Sequence, residues 1–200
     1  QAAMVEALSI AFHAVHIMPV VLNDTAVVAG AGMIGLLVVQ ALRAAGCGTI
    51  IAVDIDQGKL ELAQKLGADT GLKADACDVA GEVRKLTGGR GADIAFEVVG
   101  ITPTIATAIA SLKKGGACTL VGNVSPAIEL PLQSVVTRQI RLQGSCASSG
   151  EYPACLDMIA RGAINVDALI SASAPLFEGA DWFKRLYDRE PGLMKVILNP

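Results

Sequence analysis

None of the five cysteines, Cys47, Cys77, Cys118, Cys146 and Cys155, forms a C-x-x-C pair, and neither of the two histidines stands at ligand spacing from one. That argues against a zinc knuckle. The odd count fits reduced thiols, most of them small buried hydrophobes, in a cytoplasmic protein. Basic clusters are also missing. The only pairs of note are Lys113-Lys114 and Lys184-Arg185, and the net charge is −3, so no nucleic-acid partner is expected. No charged start, apolar run and cleavage site open the chain, which argues against export. The first residue is Gln1 rather than Met, and a helix-like run begins at once, so the sequence reads as part of a longer protein.

What is present is apolar: 52 % hydrophobic residues and a mean hydropathy of +0.53. That suffices for a sheet covered on both faces. Residues 25–42 carry no charge, which raises the question of a membrane span. Three glycines within six residues answer it, because they mark a buried strand, turn and helix. The run is Gly30-Ala31-Gly32-Met33-Ile34-Gly35. It follows the apolar stretch 26–29 and precedes the helix-like stretch 36–45. A β-like stretch, 49–53, then ends at Asp54, which lies 19 residues past Gly35.

This order of strand, glycine turn, helix, strand and acid is what a dinucleotide site requires. Gly30 permits a sharp exit from the strand, Gly32 lets backbone approach a diphosphate, and Gly35 lets the helix lie close to the strand. The N–H groups of Met33 and Ile34 would point at the phosphates, within the favourable field of the helix. Asp54 would accept the adenosine ribose hydroxyls and repel a 2′-phosphate, favouring NAD over NADP.

The remaining pattern alternates. Helices are expected over residues 4–16, 59–66, from Val79 through Val83 to Leu86 behind an Asp78 N-cap, from Thr102-Pro103 to Lys114, over 152–160, and around Trp182 and Leu186. Strands are expected over 70–73, 94–99, 117–121, from Ile140 to near Ser145, and over 196–198. Gly115-Gly116 should end the fourth of these helices, with Lys113 and Lys114 suiting its C-terminus. The expected fold is therefore α/β: a doubly wound, parallel, six-stranded sheet (a Rossmann fold) with helical N-terminal and C-terminal appendages. Its ligand loops gather at the carboxyl edge.

With these stretches in order, the chain resembles the cofactor-binding half of the zinc-dependent medium-chain alcohol and polyol dehydrogenases. The resemblance is carried by VEALSIAFHAV, VVAGAGMIGLLVVQALRAAG, VDIDQGKLELAQKLGAD, LTGGRGADIAFEVVG, LKKGGACTLVG, RQIRLQGS and MKVIL. It implies oxidation of a small-molecule alcohol or polyol with NAD as cofactor. It implies Asp54 on the ribose with Lys59 beside it, Met33 and Ile34 on the diphosphate, and Val99, Gly100 and Ile101 on the adenine side. Val121, Gly122 and Asn123, with Ser145, Cys146 and Ala147, would face the nicotinamide, and Lys195 would lie near the diphosphate.

The resemblance also divides the chain. Residues 1–24 would be a helix linking to a catalytic domain not contained in this sequence, 25–171 the NAD-binding domain, and 172–200 a segment returning toward the catalytic domain. Zinc would belong to the full-length enzyme and not to this portion, which alone would bind cofactor without turnover. A homodimer is expected through the Pro-flanked, β-like segment 127–130.

Other residues have more modest readings. Glu6 occupies a place where polyol-type members carry an acid near zinc, but the proline that accompanies it there is absent, and an exposed first-turn acid is the simpler reading. His13 and His16 read as one packed and one surface histidine. Glu97, in an apolar strand, reads as a buried, hydrogen-bonded structural acid, and Trp182 as core. Three alternatives stay open: a zinc-free quinone or enone reductase of the same superfamily, a non-catalytic nucleotide-binding module, and a methyltransferase.

Overall fold

A computed structural model describes all 200 residues. Strands β1 Thr25–Ala29, β2 Thr49–Asp54, β3 Thr70–Lys73, β4 Ala92–Glu97, β5 Leu112–Leu120 and β6 Arg141–Gly144 form one parallel sheet in the order β3-β2-β1-β4-β5-β6. Helices α1 Val5–His16, α2 Met33–Ala44, α3 Gln57–Lys65, α4 Val79–Leu86, α5 Thr102–Ser111, α6 Leu132–Thr137 and α7 Tyr152–Ala160 flank it. The expected six-stranded α/β fold is what forms.

Both faces are covered because side chains alternate along each strand. Ala26, Val28, Ile50, Ala52, Ile94 and Phe96 pack in one layer with α1, α2, α3 and Cys155 of α7. Val27, Ala29, Ile51, Val53 and Ala95 pack in the other with α4 and α5. The chain lays β1, β2 and β3 outward in one direction, then crosses back so that β4 lies beside β1. The connections leaving β1 and β4 therefore run in opposite directions, the strand-order reversal at which α/β sheets of this kind take ligands outside the carboxyl edge.

Several boundaries differ from expectation for identifiable reasons. α3 begins at Gln57, two residues early, because the Asp56 carboxylate caps it, accepting from the N–H groups of Gly58 (2.8 Å) and Lys59 (3.2 Å). Asp78 precedes α4 as expected, but its side chain makes no capping bond. In that helix Val79 and Val83 are buried while Leu86 faces solvent. α5 stops at Ser111, so Leu112, Lys113, Lys114 and the Gly115-Gly116 pair belong to β5. Lys113 instead pairs with Asp93, and the Arg138 guanidinium supplies the positive charge at the end of α5, reaching the carbonyls of Ile109 and Leu112. β4 ends at Glu97 rather than Val99. The short α6 was not anticipated, because Pro131 at its start reads as a breaker.

Beyond the main sheet, β7 Ala172–Pro175 pairs in parallel with β8 Val196–Asn199, and α8 Gly179–Tyr187 lies between them in sequence. Trp182 is half-exposed on α8 rather than core. Its ring lies 3.9 Å under the Arg185 guanidinium and its Nε1–H donates to Glu178. All five cysteines are free. Burial pushes the Cys47 and Cys155 thiols up to about 11 and Cys118 to about 12, while Cys77 and Cys146 are exposed. No helix is long and apolar enough to cross a membrane.

Candidate dinucleotide site at the carboxyl edge

The glycine turn joins β1 to α2. Gly30 has φ +107°, a region that penalises any side chain, and a Cβ there would lie 2.6 Å from the Val99 side chain. A Cβ on Gly35 would lie 1.9 Å from the Gly30 carbonyl oxygen, so the start of α2 touches the turn through backbone alone. Gly32 is different. It is the N-cap of α2 with ordinary extended backbone, and a Cβ there would meet nothing within 4 Å. The space in front of Gly32 is open.

The N–H groups of Gly32, Met33, Ile34 and Gly35 have no hydrogen-bond partner in the protein, and no side chain caps α2. Four unpartnered donors at a helix N-terminus, beside the open space at Gly32, form a cradle suited to a diphosphate. The fifth amide of the turn, Ala31 N–H, is already taken. It donates to Asp54 Oδ2 at 2.7 Å, and Asp54 Oδ1 accepts from Asp56 N–H at 3.0 Å. Asp54 thus stands at the end of β2 directly beside the turn. A carboxylate offers about four lone-pair positions, so two bonds leave capacity for a sugar hydroxyl pair.

Glu97 organises the opposite wall. It is fully buried at the end of β4, and its carboxylate accepts from Val99 N–H (3.0 Å), Gly100 N–H (2.8 Å) and Thr104 Oγ1–H (2.6 Å). This is the structural role expected of it, and it ends the strand two residues early. The Val99 and Gly100 carbonyls accept from Val124 and Ser125, and the backbones of Gly100 and Gly122 are in direct contact. Val99, Gly100, Val121, Gly122 and Asn123 therefore form one connected wall. Ser145 joins it from the end of β6, its N–H bonded to the Leu120 carbonyl. The Ser145 hydroxyl oxygen is buried and has no partner.

Two predicted residues stand apart. Lys59 is half-buried in the first turn of α3, and its side chain makes no ion pair. Lys195 precedes β8; its carbonyl accepts from Ser171 N–H, and no hydrogen bond or ion pair links its side chain to the glycine turn.

Sequence reasoning missed a third carboxylate, Glu151, just ahead of α7. Its Oε1 lies 2.8 Å from His13 Nδ1 and 3.5 Å from His16 Nδ1, and its Oε2 accepts from Ser149 N–H. Burial alone would push this carboxyl up, but the bonds from His13, Ser149 and His16 hold it down at about 2. His13 is packed and His16 exposed, as expected. An acid just before a helix, ahead of Pro153, was the available signal. Glu6 is exposed, and no group of three or more His, Cys, Asp or Glu side chains is placed to hold a metal ion.

The fold and this edge define a Rossmann-type α/β unit. Comparison with known proteins gives the family: a family model described as zinc-binding dehydrogenase matches residues 33–161, and the chain belongs to that family. Sorbitol dehydrogenase of Bacillus subtilis is 29 % identical over 201 residues, covering all of this chain and 57 % of that protein. The crystal structure of 2R,3R-butanediol dehydrogenase from Bacillus subtilis superposes with a TM-score of 0.91 at 30 % identity, covering 99 % of this chain and 57 % of that one. A protein described as a zinc-binding dehydrogenase of Sinorhizobium meliloti, solved bound to NADP, superposes at 0.88 with 28 % identity, covering 99 % of this chain and 58 % of that one. The chain thus spans a little over half the length of these relatives.

Two outcomes follow. Gly35→Ala should lower stability by at least ~2 kcal/mol in denaturant titration, because the new methyl overlaps a backbone oxygen. Gly32→Ala should leave stability within ~0.5 kcal/mol yet weaken dinucleotide binding; equal behaviour of the two variants would contradict the cradle. The second outcome concerns acid. Glu151 is held below its ordinary 4.5, so its contribution to stability is complete above about 4.5 and is lost as pH falls toward 2. The thermal midpoint should therefore fall more steeply over that window in the unmodified chain than in Glu151→Gln, and parallel curves would contradict it.

Proposed function

We propose that the chain binds NAD(H) along the carboxyl edge of its sheet and serves as the coenzyme-binding part of a cytoplasmic, zinc-dependent oxidoreductase acting on a small alcohol or polyol. The observation that carries this is the pairing of four unpartnered amides at an open turn with a carboxylate fixed beside them. Met33 and Ile34 N–H groups bind the diphosphate. Asp54 accepts the ribose hydroxyls, with Lys59 at the rim. Val99 and Gly100 line the adenine side, and Val121, Gly122, Asn123 and Ser145 the nicotinamide side. The unpartnered Ser145 hydroxyl suits a nicotinamide carboxamide. Lys195 is assigned near the diphosphate on the family resemblance. When bound, NAD would supply the hydride acceptor for oxidation of an alcohol carbon.

The relatives' names, sorbitol and butanediol dehydrogenase, support a small alcohol or polyol as the substrate. The family description implies zinc, but this chain's own acids, histidines and cysteines do not assemble a site for it. The division at residues 24 and 171 is part of the same reading.

Preference for NAD over NADP rests on Asp54, whose charge opposes a 2′-phosphate. Titration followed by cofactor fluorescence should show NADH binding more tightly than NADPH, and Asp54→Ala should narrow the gap. Because Asp54 also holds Ala31 N–H, that variant should lose about 1–3 kcal/mol of stability as well. Equal affinity of the unmodified chain for both cofactors would remove the ribose assignment.

The homodimer belongs to this proposal too. β6 is an edge strand, and Val124, Leu132 and Val136 near it are largely exposed. Residues 127–130 form no strand within one chain; the Glu129 N–H donates to Thr102 Oγ1 and the Ala127 carbonyl accepts from Ser125 Oγ, and the remaining backbone groups can pair with a second copy. Light scattering should give twice the 20.5 kDa of one chain, and a monomer mass would exclude the pairing.

A further inference from the structure

The loop of residues 145–150, between β6 and α7, has almost no fastenings of its own. From Cys146 to Gly150 a single backbone amide, Ser149 N–H, makes a hydrogen bond, and its acceptor is Glu151. Two residues of the loop, Ala147 (φ +54°) and Gly150 (φ +94°), sit in the left-handed region, which is unfavourable for alanine. Something must therefore hold the loop in this shape.

The Glu151 side chain is only 7 % exposed, and its other oxygen is bound by His13 at 2.8 Å. An ionised carboxylate only accepts, so His13 Nδ1 carries the proton and donates it. His13 belongs to α1, which packs in one layer with α2, the helix whose start forms the diphosphate cradle. The loop is thus tied through one carboxylate to the layer that holds the other end of the site.

We infer that Glu151, clamped by His13, is a positioning residue that sets residues 145–147 against the nicotinamide end of the bound dinucleotide. This rests on the reading that Ser145 and its neighbours face that end. Glu151 touches no reacting atom. Its work is to keep an otherwise unbraced loop in one conformation before cofactor arrives, so that binding need not order it.

The test compares NADH with ADP-ribose, which shares the diphosphate and adenosine but lacks the nicotinamide. Both are titrated calorimetrically into the chain and into Glu151→Ala, Glu151→Gln and His13→Leu, and exchange of the Ser149 amide is followed without ligand. Glu151→Ala should raise the NADH Kd about fivefold or more, leave ADP-ribose within about twofold, and speed Ser149 exchange. Glu151→Gln retains an acceptor for Ser149 N–H and should recover most of the NADH affinity. His13→Leu, which leaves Glu151 and Ser149 bonded, should shift NADH in the same direction by less, and it carries the comparison if Glu151→Ala does not fold. Equal losses for both ligands would mean that Glu151 only fastens α7 to α1, and an unchanged NADH affinity would also overturn the inference. An unmodified chain that binds neither ligand would overturn the dinucleotide reading itself, and this inference with it.

Discussion

One backbone-to-backbone contact governs the rest: the first turn of α2 lies on the Gly30 carbonyl with no side chain between them, since a Cβ on Gly35 would overlap that oxygen at 1.9 Å. The contact fixes where α2 begins and therefore where its first amides point. It also draws Val28 and Leu36 into one apolar layer with α1. With backbone occupying the place of a side chain, the turn cannot close over its own donors, and four remain unsatisfied. A protein tolerates such a set where solvent or a ligand completes it.

Two buried or half-buried acids then do similar work on either side of the crevice. Asp54 sits at the end of β2 and binds an amide of the turn after β1, so it couples two neighbouring strands. Glu97 sits at the end of β4 and binds the amides of its own exit, with Thr104 of α5 as third donor. Each carboxylate accepts several N–H or O–H bonds, which compensates for its removal from water. Both walls are thereby rigid backbone rather than mobile side chains, as suits a ligand recognised largely through phosphates and hydroxyls.

The layered sheet and the glycine turn were legible because their signals are local: three glycines, β-branched runs, and an acid at a fixed spacing. Even the weakly patterned β3 formed where expected, since it completes the edge beyond β2. What was not legible depends on partners distant in sequence. Leu112 to Gly116 carry good helix-ending residues, yet Leu112 pairs with Ala92 of β4, Arg138 reaches its carbonyl from 26 residues away, and Gly115 N–H donates to the Arg138 carbonyl, so the stretch joins the strand. β7 could not be read without β8, to which it pairs. The same holds for Glu151, whose importance comes from His13, 138 residues earlier. Asp54 ends β2 as expected, but its grip on Ala31 is a matter of side-chain rotation that no spacing encodes.

The distribution of the thiols has a practical corollary. Cys47, Cys118 and Cys155 are buried and held protonated by their surroundings, whereas Cys77 and Cys146 are open to solvent. Thiolate is the form that reacts with maleimides and similar reagents. Labelling of the native chain would thus mark two positions, one of them in the stretch following β6. Replacing Cys77 with serine leaves Cys146 as a single attachment point, where a fluorophore would report the arrival of a bound molecule without disturbing the packed layers.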